Sequence, residues 1–431
     1  MSTDNQLLTR FLEHHPEVDY FYLIWIDTVG VSRARVLTKN HLVNLTQSKQ
    51  KIATIRSIFS RLQDDTPNGT RVNTSAGSVN IVPDLGTLRL AGYSPRSATV
   101  LCRFCNSDES SFDLDARSVC QKAIESLNVA GTDLRCGFEL EFTLLGAQSG
   151  RTKDVSPFDR QWSSARALTQ PAVKFLKDVV QALDHSGIQV LQFHAEYGPG
   201  QYEVSTAPLP ALDALDSYVV SKETVYSIAE QHNLRASFHP KPIADAPGSG
   251  AHVHFSISEK LKEEAAIAGI LFHLSSICAF SLPTEVSYAR VEDSGWAGGR
   301  WKAWGSENRE VPLRKIAPGH WEFRVIDGTA NMYLVLGAIA LAAEDGISKN
   351  MSLSLRDCSY DPALLTNDQR RELGITERLP QSLSESLRSL ELDTELRQGL
   401  FKPIVDNFLS SKRAEMDLLK KQGISWYLQW Y

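Results

Sequence analysis

The chain has 431 residues, of which 42% are hydrophobic and 22% are charged, and its 51 acidic side chains outnumber 45 basic ones, so its net charge is −6. This composition is typical of a globular protein with two or three domains and excludes a mainly disordered chain. The acidic balance argues against a nucleic-acid-binding protein and against a polybasic membrane-surface protein.

The first 112 residues predict a small β-rich domain. Tyr20–Ile26 and Val31–Leu37 flank a four-residue turn that begins at Asp27, a pattern that predicts a β-hairpin. The polar stretch at residues 63–78 predicts a long surface loop. Two further strand-like runs follow it, Ser78–Val82 and Ala98–Phe104.

The second predicted unit is larger and mixes helices with strands. A helix should begin near Asp113–Asp115, because aspartate caps exposed N–H groups and apolar residues then recur at helical spacing up to Gly131. We therefore predict two domains, 1–112 and 113–431. Pro171 and Pro403 should split or kink the helices that contain them. The further helical patterns are Ala165–Leu183, Leu212–Gln231, Lys260–Phe280, Tyr333–Ser348, Leu383–Leu390 and Leu396–Lys421.

No segment is typical of secretion or membrane insertion. The longest nearly uninterrupted apolar run, Met332–Ala343, is shorter than the roughly 18 or more residues that span a bilayer. The first residues lack the basic and apolar regions of a signal peptide. A single Cys-x-x-Cys pair, Cys102 and Cys105, predicts packed strand thiols rather than a disulfide framework or a zinc site. We expect a cytoplasmic protein.

Several strand-like runs carry polar, ligand-capable residues at i and i+2 with apolar residues between them. Side chains alternate across a strand, so each pair should share one face. The pairs are Glu139 and Glu141, His252 and His254, and Glu322 and Arg324. Each pair taken singly is also compatible with the solvated face of an amphipathic sheet.

Two more carboxylates, Glu196 and Glu203, flank a turn rich in glycine and tyrosine. Together with the strand residues they make five glutamates beside two histidines, a set that suits hard divalent cations such as Mg²⁺ or Mn²⁺.

Cationic side chains cluster downstream of these acids. Arginine matches carboxylate and phosphate geometry bidentately, so arginines beside a carboxylate-rich metal site favour phosphoryl chemistry, although surface ion pairs are the alternative. The arginines are Arg290, Arg309, Arg314 and Arg324. The sequence contains no P-loop, dinucleotide fingerprint or serine-hydrolase elbow.

The order and spacing of six segments resemble the glutamine synthetase family across nearly the whole chain. These segments are 26–30, 137–142, 194–203, 241–254, 308–314 and 322–333. The resemblance implies an α+β fold, with an N-terminal β-grasp domain and a C-terminal catalytic domain whose curved antiparallel sheet is backed by helices. It also implies a homo-oligomer of stacked rings, with active sites shared between neighbouring subunits.

The resemblance further implies a role for each matching residue. Glu141, Glu196 and Glu203 would hold one Mg²⁺ or Mn²⁺, and Glu139, His252 and Glu322 the other. Gly248, Arg290 and Arg324 would bind the substrate acid, while His254, Ser256, Arg309 and Arg314 would face the phosphates of ATP, with Arg309 also acting in catalysis. Asp27, from the adjacent subunit, or Glu196 would accept the proton of the incoming amine.

The implied reaction joins a carboxylate to an amine at the expense of ATP. The acid, glutamate or a relative, attacks the γ-phosphate, and an amine then displaces phosphate from the γ-glutamyl phosphate to give an amide. Two alternatives remain open. One is a non-catalytic paralogue with a structural or regulatory role, and the weaker one is a metal hydrolase.

Four positions depart from the family pattern. Ala297 stands where ammonia-using members carry a flap glutamate, Pro247 where an asparagine is usual, and His320 where a phosphate-facing arginine is usual. Trp162 stands where the family carries a tyrosine of the ammonium pocket. Without the flap carboxylate, we expect an amine that is bulkier and less charged than ammonium, with partial compensation by Glu292 or Asp293.

Overall fold

A six-stranded sheet forms from the N-terminal part of the chain. The computed structural model describes residues 3–48, 50–69, 76–147, 162–168, 172–423, 426–427 and 430–431. The strands are β1 (Tyr20–Ile26), β2 (Ser32–Thr38), β3 (Ile52–Ile55), β4 (Ser78–Pro83), β5 (Arg89–Leu90) and β6 (Ser97–Cys105), in the order β2-β1-β6-β4-β3 with β5 beside β6. The predicted hairpin is confirmed as the antiparallel pair β1 and β2, while β1 and β6 run parallel. Helices α1 (Thr3–His14) and α2 (Lys39–Ser48) pack against each other, and α2 also packs on the hairpin.

A nine-stranded sheet follows. It consists of β7 (Leu134–Gly146), β8 (Val190–Ala195), β9 (Gln201–Thr206), β10 (Leu209–Pro210), β11 (Leu234–Ser237), β12 (Val253–Ile257), β13 (Trp304–Ser306), β14 (Leu313–Ala317) and β15 (His320–Phe323). Its order is β13-β14-β15-β12-β7-β9-β8, with β10 and β11 also paired to β7. Every pair is antiparallel except β13 with β14. The mixed architecture and the predicted antiparallel sheet are confirmed.

Helices cover this sheet and form the apolar core. They are α3 (Ala116–Val129), α4 (Ala172–His185), α5 (Ala211–Gln231), α6 (Glu263–Ser281), α7 (Ser287–Arg290), α8 (Met332–Ser348), α9 (Asn367–Glu372), α10 (Leu383–Leu392), α11 (Thr394–Gly399) and α12 (Lys402–Gln422). α4 and α5 pack on the sheet, and α6 and α8 cross closely at Gly269 and Gly346. A Cβ at either glycine would lie 2.1 Å from a carbonyl oxygen of the other helix, so only glycine permits this crossing.

The predicted helices are confirmed except for the start of one of them. α3 begins at Ala116, directly after Asp115, whose carboxylate accepts hydrogen bonds from Phe104 N (3.0 Å) and Ser118 Oγ (2.6 Å) and so joins β6 to α3. The helix predicted over 165–183 was wrong at its start, because residues 162–168 form turns and α4 begins at Ala172; Pro171 lies outside the described residues. Pro403 splits the last predicted helix, as expected, and lies in the first turn of α12. The division into 1–112 and 113–431 stays a prediction.

The segment Lys260–Ser281, which includes α6, is long and apolar enough to cross a membrane by length and composition alone. Of its most apolar window, 78% is buried inside the fold, which is typical of a core helix. The shorter run at 332–343 is likewise buried, within α8. All six cysteines are free thiols, with Cys102 buried and Cys105 half-buried in β6, as predicted for packed strand thiols.

Candidate functional site

Five neighbouring strands, in the order β15-β12-β7-β9-β8, carry the predicted ligands to one face of the larger sheet. The strand register places His254 opposite Glu322, and it places Glu203 between Glu141 on one side and His194 on the other. His252 lies just before β12, and Arg324 lies just after β15. Glu139 and Glu141 therefore share one face, as their alternation predicts, and strand pairing brings polar residues from distant parts of the sequence to the same surface.

The first cluster surrounds Glu139. Its Oε2 lies 2.8 Å from His252 Nδ1, and its Oε1 lies 3.1 Å from His254 Nε2. His252 Nδ1 also lies 3.4 Å from Glu141 Oε1 and 3.5 Å from Glu322 Oε1. Burial raises the pKa of Glu139, but the hydrogen bonds and charges of the two histidines outweigh burial and hold that pKa below its ordinary value.

The second cluster contains a histidine to which the sequence analysis gave no role. His194 Nε2 lies 3.0 Å from Glu196 Oε1, and His194 Nδ1 lies 4.0 Å from Glu203 Oε1. Trp162 Nε1 donates to the same oxygen of Glu196 at 3.3 Å. The available signal was the His-x-Glu spacing, but the register between β8 and β9 contains a shift that spacing alone does not reveal.

The carboxylates of these clusters repel one another. Burial, followed by the charges of Glu139 and Glu141, raises the pKa of Glu203 well above its ordinary value. Burial also raises the pKa of Glu141, with a further contribution from Glu196. Buried carboxylates in this arrangement require positive charge for stability in the ionised form.

The donor atoms fit divalent cations. Ligand atoms of Glu139, His254 and Glu322 lie within 4.8 Å of one another, and so do those of His194, Glu196 and Glu203. Carboxylate oxygens with a minority of imidazole nitrogens suit Mg²⁺ and Mn²⁺. The residues present could therefore hold two cations side by side.

The guanidinium of Arg324 is fully buried and already engaged by the protein. It forms an ion pair with Glu322 Oε1, donates to Trp296 O at 2.8 Å and donates to Arg309 O at 3.3 Å. Arg324 therefore connects the acidic cluster to the segment around Ala297.

Arg290 lies behind the first cluster. Its Nη2 donates to His252 Nε2 at 3.1 Å, and its Nε has no protein partner among the described residues. The backbone at Gly250 passes so close that a Cβ there would lie 2.5 Å from Arg290 Nη2 and 2.7 Å from His252 Nε2. Gly248 similarly leaves room for the aliphatic part of Arg290 and presents its carbonyl to Gln201 Nε2 at 3.0 Å.

The residues predicted to face the nucleotide lie at the β14 and β15 side of the site. Arg314 bridges Glu322 Oε2 (3.2 Å) and Glu307 Oε2 (2.7 Å). The side chain of Arg309 is exposed, and Ser256 lies on β12 two residues after His254. Of these residues, Arg314 contacts the acidic cluster through Glu322.

Asp27 is held within its own hairpin. Its carboxylate accepts hydrogen bonds from Val29 N (3.1 Å), Val31 N (2.9 Å) and Arg33 Nε (2.8 Å). Burial raises its pKa to about 6 against the opposing charge of Arg33. Among the described residues, the hydrogen bonds of this carboxylate join it to the hairpin and not to the acidic clusters of the same chain, so its role towards an adjacent subunit stays a prediction.

The segment around Ala297 closes one side of the site. Ala297 is buried, whereas the side chain of the preceding Trp296 is 67% exposed. The backbone of Trp296 has a positive φ of 55°. Its N–H donates to the Glu310 carboxylate at 2.8 Å, and its carbonyl accepts from Arg324. Asp293 is occupied by Arg378 at 2.6 Å, while Glu292 is exposed. Asp293 is thus engaged by another side chain, and compensation by Glu292 stays a prediction.

The other two departures also lie at the site. His320 Nε2 lies 3.0 Å from His254 Nδ1, so the histidine that stands in place of the expected arginine contacts a cluster residue directly. Pro247 is half-buried next to Gly248.

Comparisons with known proteins agree with this geometry. The family model "Glutamine synthetase, catalytic domain" matches residues 113–431. Protein fluG of Emericella nidulans is 34% identical over all of this chain, which spans about half, 50%, of the length of that protein. Glutamate–methylamine ligase of Methyloversatilis universalis is 29% identical over 81% of this chain and 84% of its own. A solved GmaS/ADP complex shares the fold, with a TM-score of 0.84, 23% identity and coverage of 97% of both chains.

Proposed function

The chain belongs to the glutamine synthetase family, and from this premise we propose that it is an ATP-dependent glutamate–amine ligase that forms a γ-glutamyl amide. The observation that carries the proposal is the pair of adjacent carboxylate clusters with the buried Arg290 and Arg324 beside them. Buried acids that raise one another's pKa need cations, and arginines next to such a centre suit an anionic substrate.

Each group has a role in the proposed reaction. Bound Mg²⁺ or Mn²⁺ supplies positive charge to the transferring phosphoryl group. Arg290, whose Nε is free to donate, binds the carboxylate of glutamate, and Arg309 and Arg314 neutralise the phosphates of ATP. The γ-carboxylate of glutamate attacks the γ-phosphorus and ADP leaves.

The second half of the reaction needs a base. The ammonium form first gives one proton to Glu196 or Asp27, which frees the lone pair of the nitrogen. The neutral nitrogen then attacks the acyl carbon of γ-glutamyl phosphate, and as the bond from that carbon to the phosphate oxygen breaks, the second proton passes from nitrogen to the leaving phosphate. A pKa of about 6 makes Asp27 a suitable acceptor near neutral pH. In this proposal Asp27 serves a neighbouring copy in a cytoplasmic homo-oligomer of stacked rings, and its domain, 1–112, packs against the catalytic domain, 113–431, of that copy.

The preferred amine is proposed to be a primary amine rather than ammonia. Ala297 places a methyl group where a carboxylate would bind ammonium, which leaves room and removes negative charge. The name of the methylamine ligase relative supports this choice, since that protein is 29% identical over most of the chain.

ADP formation tests the proposal. The full chain is assayed with ATP, glutamate and Mg²⁺ or Mn²⁺ against ammonia, methylamine, longer alkylamines and diamines. We expect metal-dependent ADP release, faster with a primary amine than with ammonia. Glu139→Gln should abolish it, whereas Glu13→Gln, an exposed change in α1, should not. Ammonia outperforming every primary amine would contradict the proposed amine.

A non-catalytic paralogue is the second candidate, and the ion pairs of Glu322 favour it. Both carboxylate oxygens of this predicted ligand are engaged by arginines, Oε1 by Arg324 and Oε2 by Arg314. In a non-catalytic protein these pairs would be permanent. Absence of ADP formation across the whole panel, with the protein folded, would select this candidate.

A further inference from the structure

The flap, residues 293–299, has a strained backbone. Ser294 and Trp296 have positive φ values of 59° and 55°, and Gly298 and Gly299 also have positive φ, of 93° and 63°. Residues with a side chain rarely adopt this conformation, and it persists only where neighbouring contacts hold it. The conformation of the flap therefore depends on the residues that contact it.

One set of contacts comes from the site itself. Arg324 donates to Trp296 O at 2.8 Å, and Glu310 accepts from Trp296 N at 2.8 Å. The flap backbone also lies directly on Arg324, since a Cβ at Gly298 would lie 3.3 Å from Arg324 Cβ. The family resemblance implies that Arg324 binds the substrate acid. A bound carboxylate would therefore compete with Trp296 O for the N–H groups of Arg324.

A second set of contacts comes from the chain between α8 and α10. Ser294 Oγ donates to Asp361 Oδ2 at 2.5 Å, and Arg378 Nη2 donates to Asp293 Oδ2 at 2.6 Å. Asp293 Oδ1 accepts from Arg300 N at 3.1 Å, so the same carboxylate also joins the two ends of the flap. Among the described residues, no hydrogen bond or ion pair joins Asp361 or Arg378 to the acidic clusters.

The position of Arg378 is fixed by its backbone and by an aromatic ring. Arg378 and Trp301 form an antiparallel β-bridge. The Cζ of Arg378 lies 5.0 Å from the centroid of the Trp301 ring, and the Cζ of Arg370 lies 4.3 Å from the same centroid. A guanidinium over an aromatic face is attracted to it. The side chain of Arg378 is thus oriented towards Asp293 by contacts outside the site.

We propose that Asp361 and Arg378 are positioning residues that hold the flap, and with it Ala297, at the amine side of the site. When a substrate carboxylate engages Arg324, the flap depends on Asp361, Arg378 and Glu310 to keep its strained conformation. The consequence for the amine rests on the proposed function, whereas the hold on the flap does not.

Hydrogen exchange of the full chain, followed by mass spectrometry, measures this hold without relying on activity. Ser294→Ala removes the hydrogen bond to the Asp361 carboxylate and should speed exchange of the flap amides about tenfold. Arg378→Gln should speed it about threefold, because a partly exposed ion pair contributes little. Arg378→Lys keeps the charge, so its exchange should lie between that of wild type and that of Arg378→Gln.

Arg371→Gln is the matched control. Arg371 lies on α9, is 70% exposed and pairs with Asp368 at 2.8 Å rather than with the flap. Flap exchange should be the same in this variant as in wild type. Melting curves verify that each variant is folded.

Steady-state kinetics separate positioning from a general structural effect. Arg378→Gln should raise KM for the amine about threefold and leave KM for ATP unchanged, because Arg378 contacts the flap and Trp301 but not Arg314 or His254. Arg378→Lys should restore part of the loss.

Three results would overturn the proposal. They are unchanged flap exchange in folded Ser294→Ala and Arg378→Gln, an equal acceleration in Arg371→Gln, and a rise of KM for ATP as large as the rise for the amine. Faster flap exchange in a protein that forms no ADP with any amine would refute the ligase reaction, while the hold of Asp361 and Arg378 on the flap would stand.

Discussion

Replacing Asp27 by asparagine should change how the stability of the protein depends on pH. Asp27 is buried, and its burial raises the pKa from 3.8 to about 6 although Arg33 opposes the shift. The folded protein therefore keeps this proton up to a higher pH than the unfolded chain does. With respect to this carboxyl, stability is greatest below pH 4, falls between pH 4 and 6, and is constant above that window.

The size of this effect follows from the two pKa values. One pKa unit corresponds to 1.36 kcal/mol, so the shift from 3.8 to about 6 costs about 3 kcal/mol of unfolding free energy at neutral pH. The entropy of unfolding, about 2.1 cal/mol/K per residue, gives about 0.9 kcal/mol/K for 431 residues. The expected displacement of the melting temperature is then about 3 °C.

Differential scanning calorimetry from pH 4 to pH 7 measures this displacement. The melting temperature of Asp27→Asn, relative to wild type, should rise by about 3 °C across this range, because the amide has no proton to lose while its oxygen still accepts from Val29 and Val31. Asp65→Asn is the control, since Asp65 also pairs with Arg33, at 2.6 Å, but its side chain is 65% exposed. Parallel curves for wild type and Asp27→Asn would refute the assignment of the raised pKa.

Three further changes test the site and the core. Ala297→Glu should raise kcat/KM for ammonia about tenfold or more, because a charged hydrogen bond contributes about 1.5–3 kcal/mol. The rate of ADP release measures this gain, and an equal gain in Ala297→Gln would contradict a role for charge. Glu203→Gln should raise the melting temperature measured in the presence of a chelator, because it removes a carboxylate that its neighbours repel. The same change should weaken Mn²⁺ binding. A lower melting temperature in chelator would contradict this reasoning. His273 is buried between Asp393 (2.7 Å) and Asp345 (3.1 Å), and although burial lowers its pKa, these contacts raise it overall. His273→Gln should therefore lower the melting temperature most at pH 6 and below, with a deficit that shrinks as pH rises through the raised pKa; a deficit independent of pH would count against the charged form.

The sequence predicted the ligand pairs best where a strand is long and regular. Glu139 and Glu141 share a face because side chains alternate along β7, and this pattern needs no knowledge of other strands. The predicted hairpin and the break at Pro403 are likewise local consequences of turn chemistry and of the missing proline N–H.

The remaining features depend on contacts between distant segments. Arg324 lies beside Glu322, as predicted, and forms an ion pair with it. The sequence did not reveal that β15 ends at Phe323 or that the guanidinium also donates to the carbonyls of Arg309 and Trp296. The place of His194 depends on the register of β8 against β9, which contains a shift. The end of strand pairing and a register shift both depend on the partner strand, so the pattern of residues in one segment does not reveal them.

The two clusters differ in how the protein balances their charge, and this difference bears on cation binding. Near Glu139 and Glu322, burial raises both pKa values, but His252 and His254 reverse the shift for Glu139, and Arg324 reverses it for Glu322. Near Glu203 burial and neighbouring carboxylates act in the same direction, and its pKa rises. A cation at the Glu203 cluster therefore relieves repulsion that the protein leaves uncompensated, whereas a cation near Glu139 must compete with existing ion pairs. We expect the Glu203 cluster to contribute more of the stabilisation that cations give to the fold.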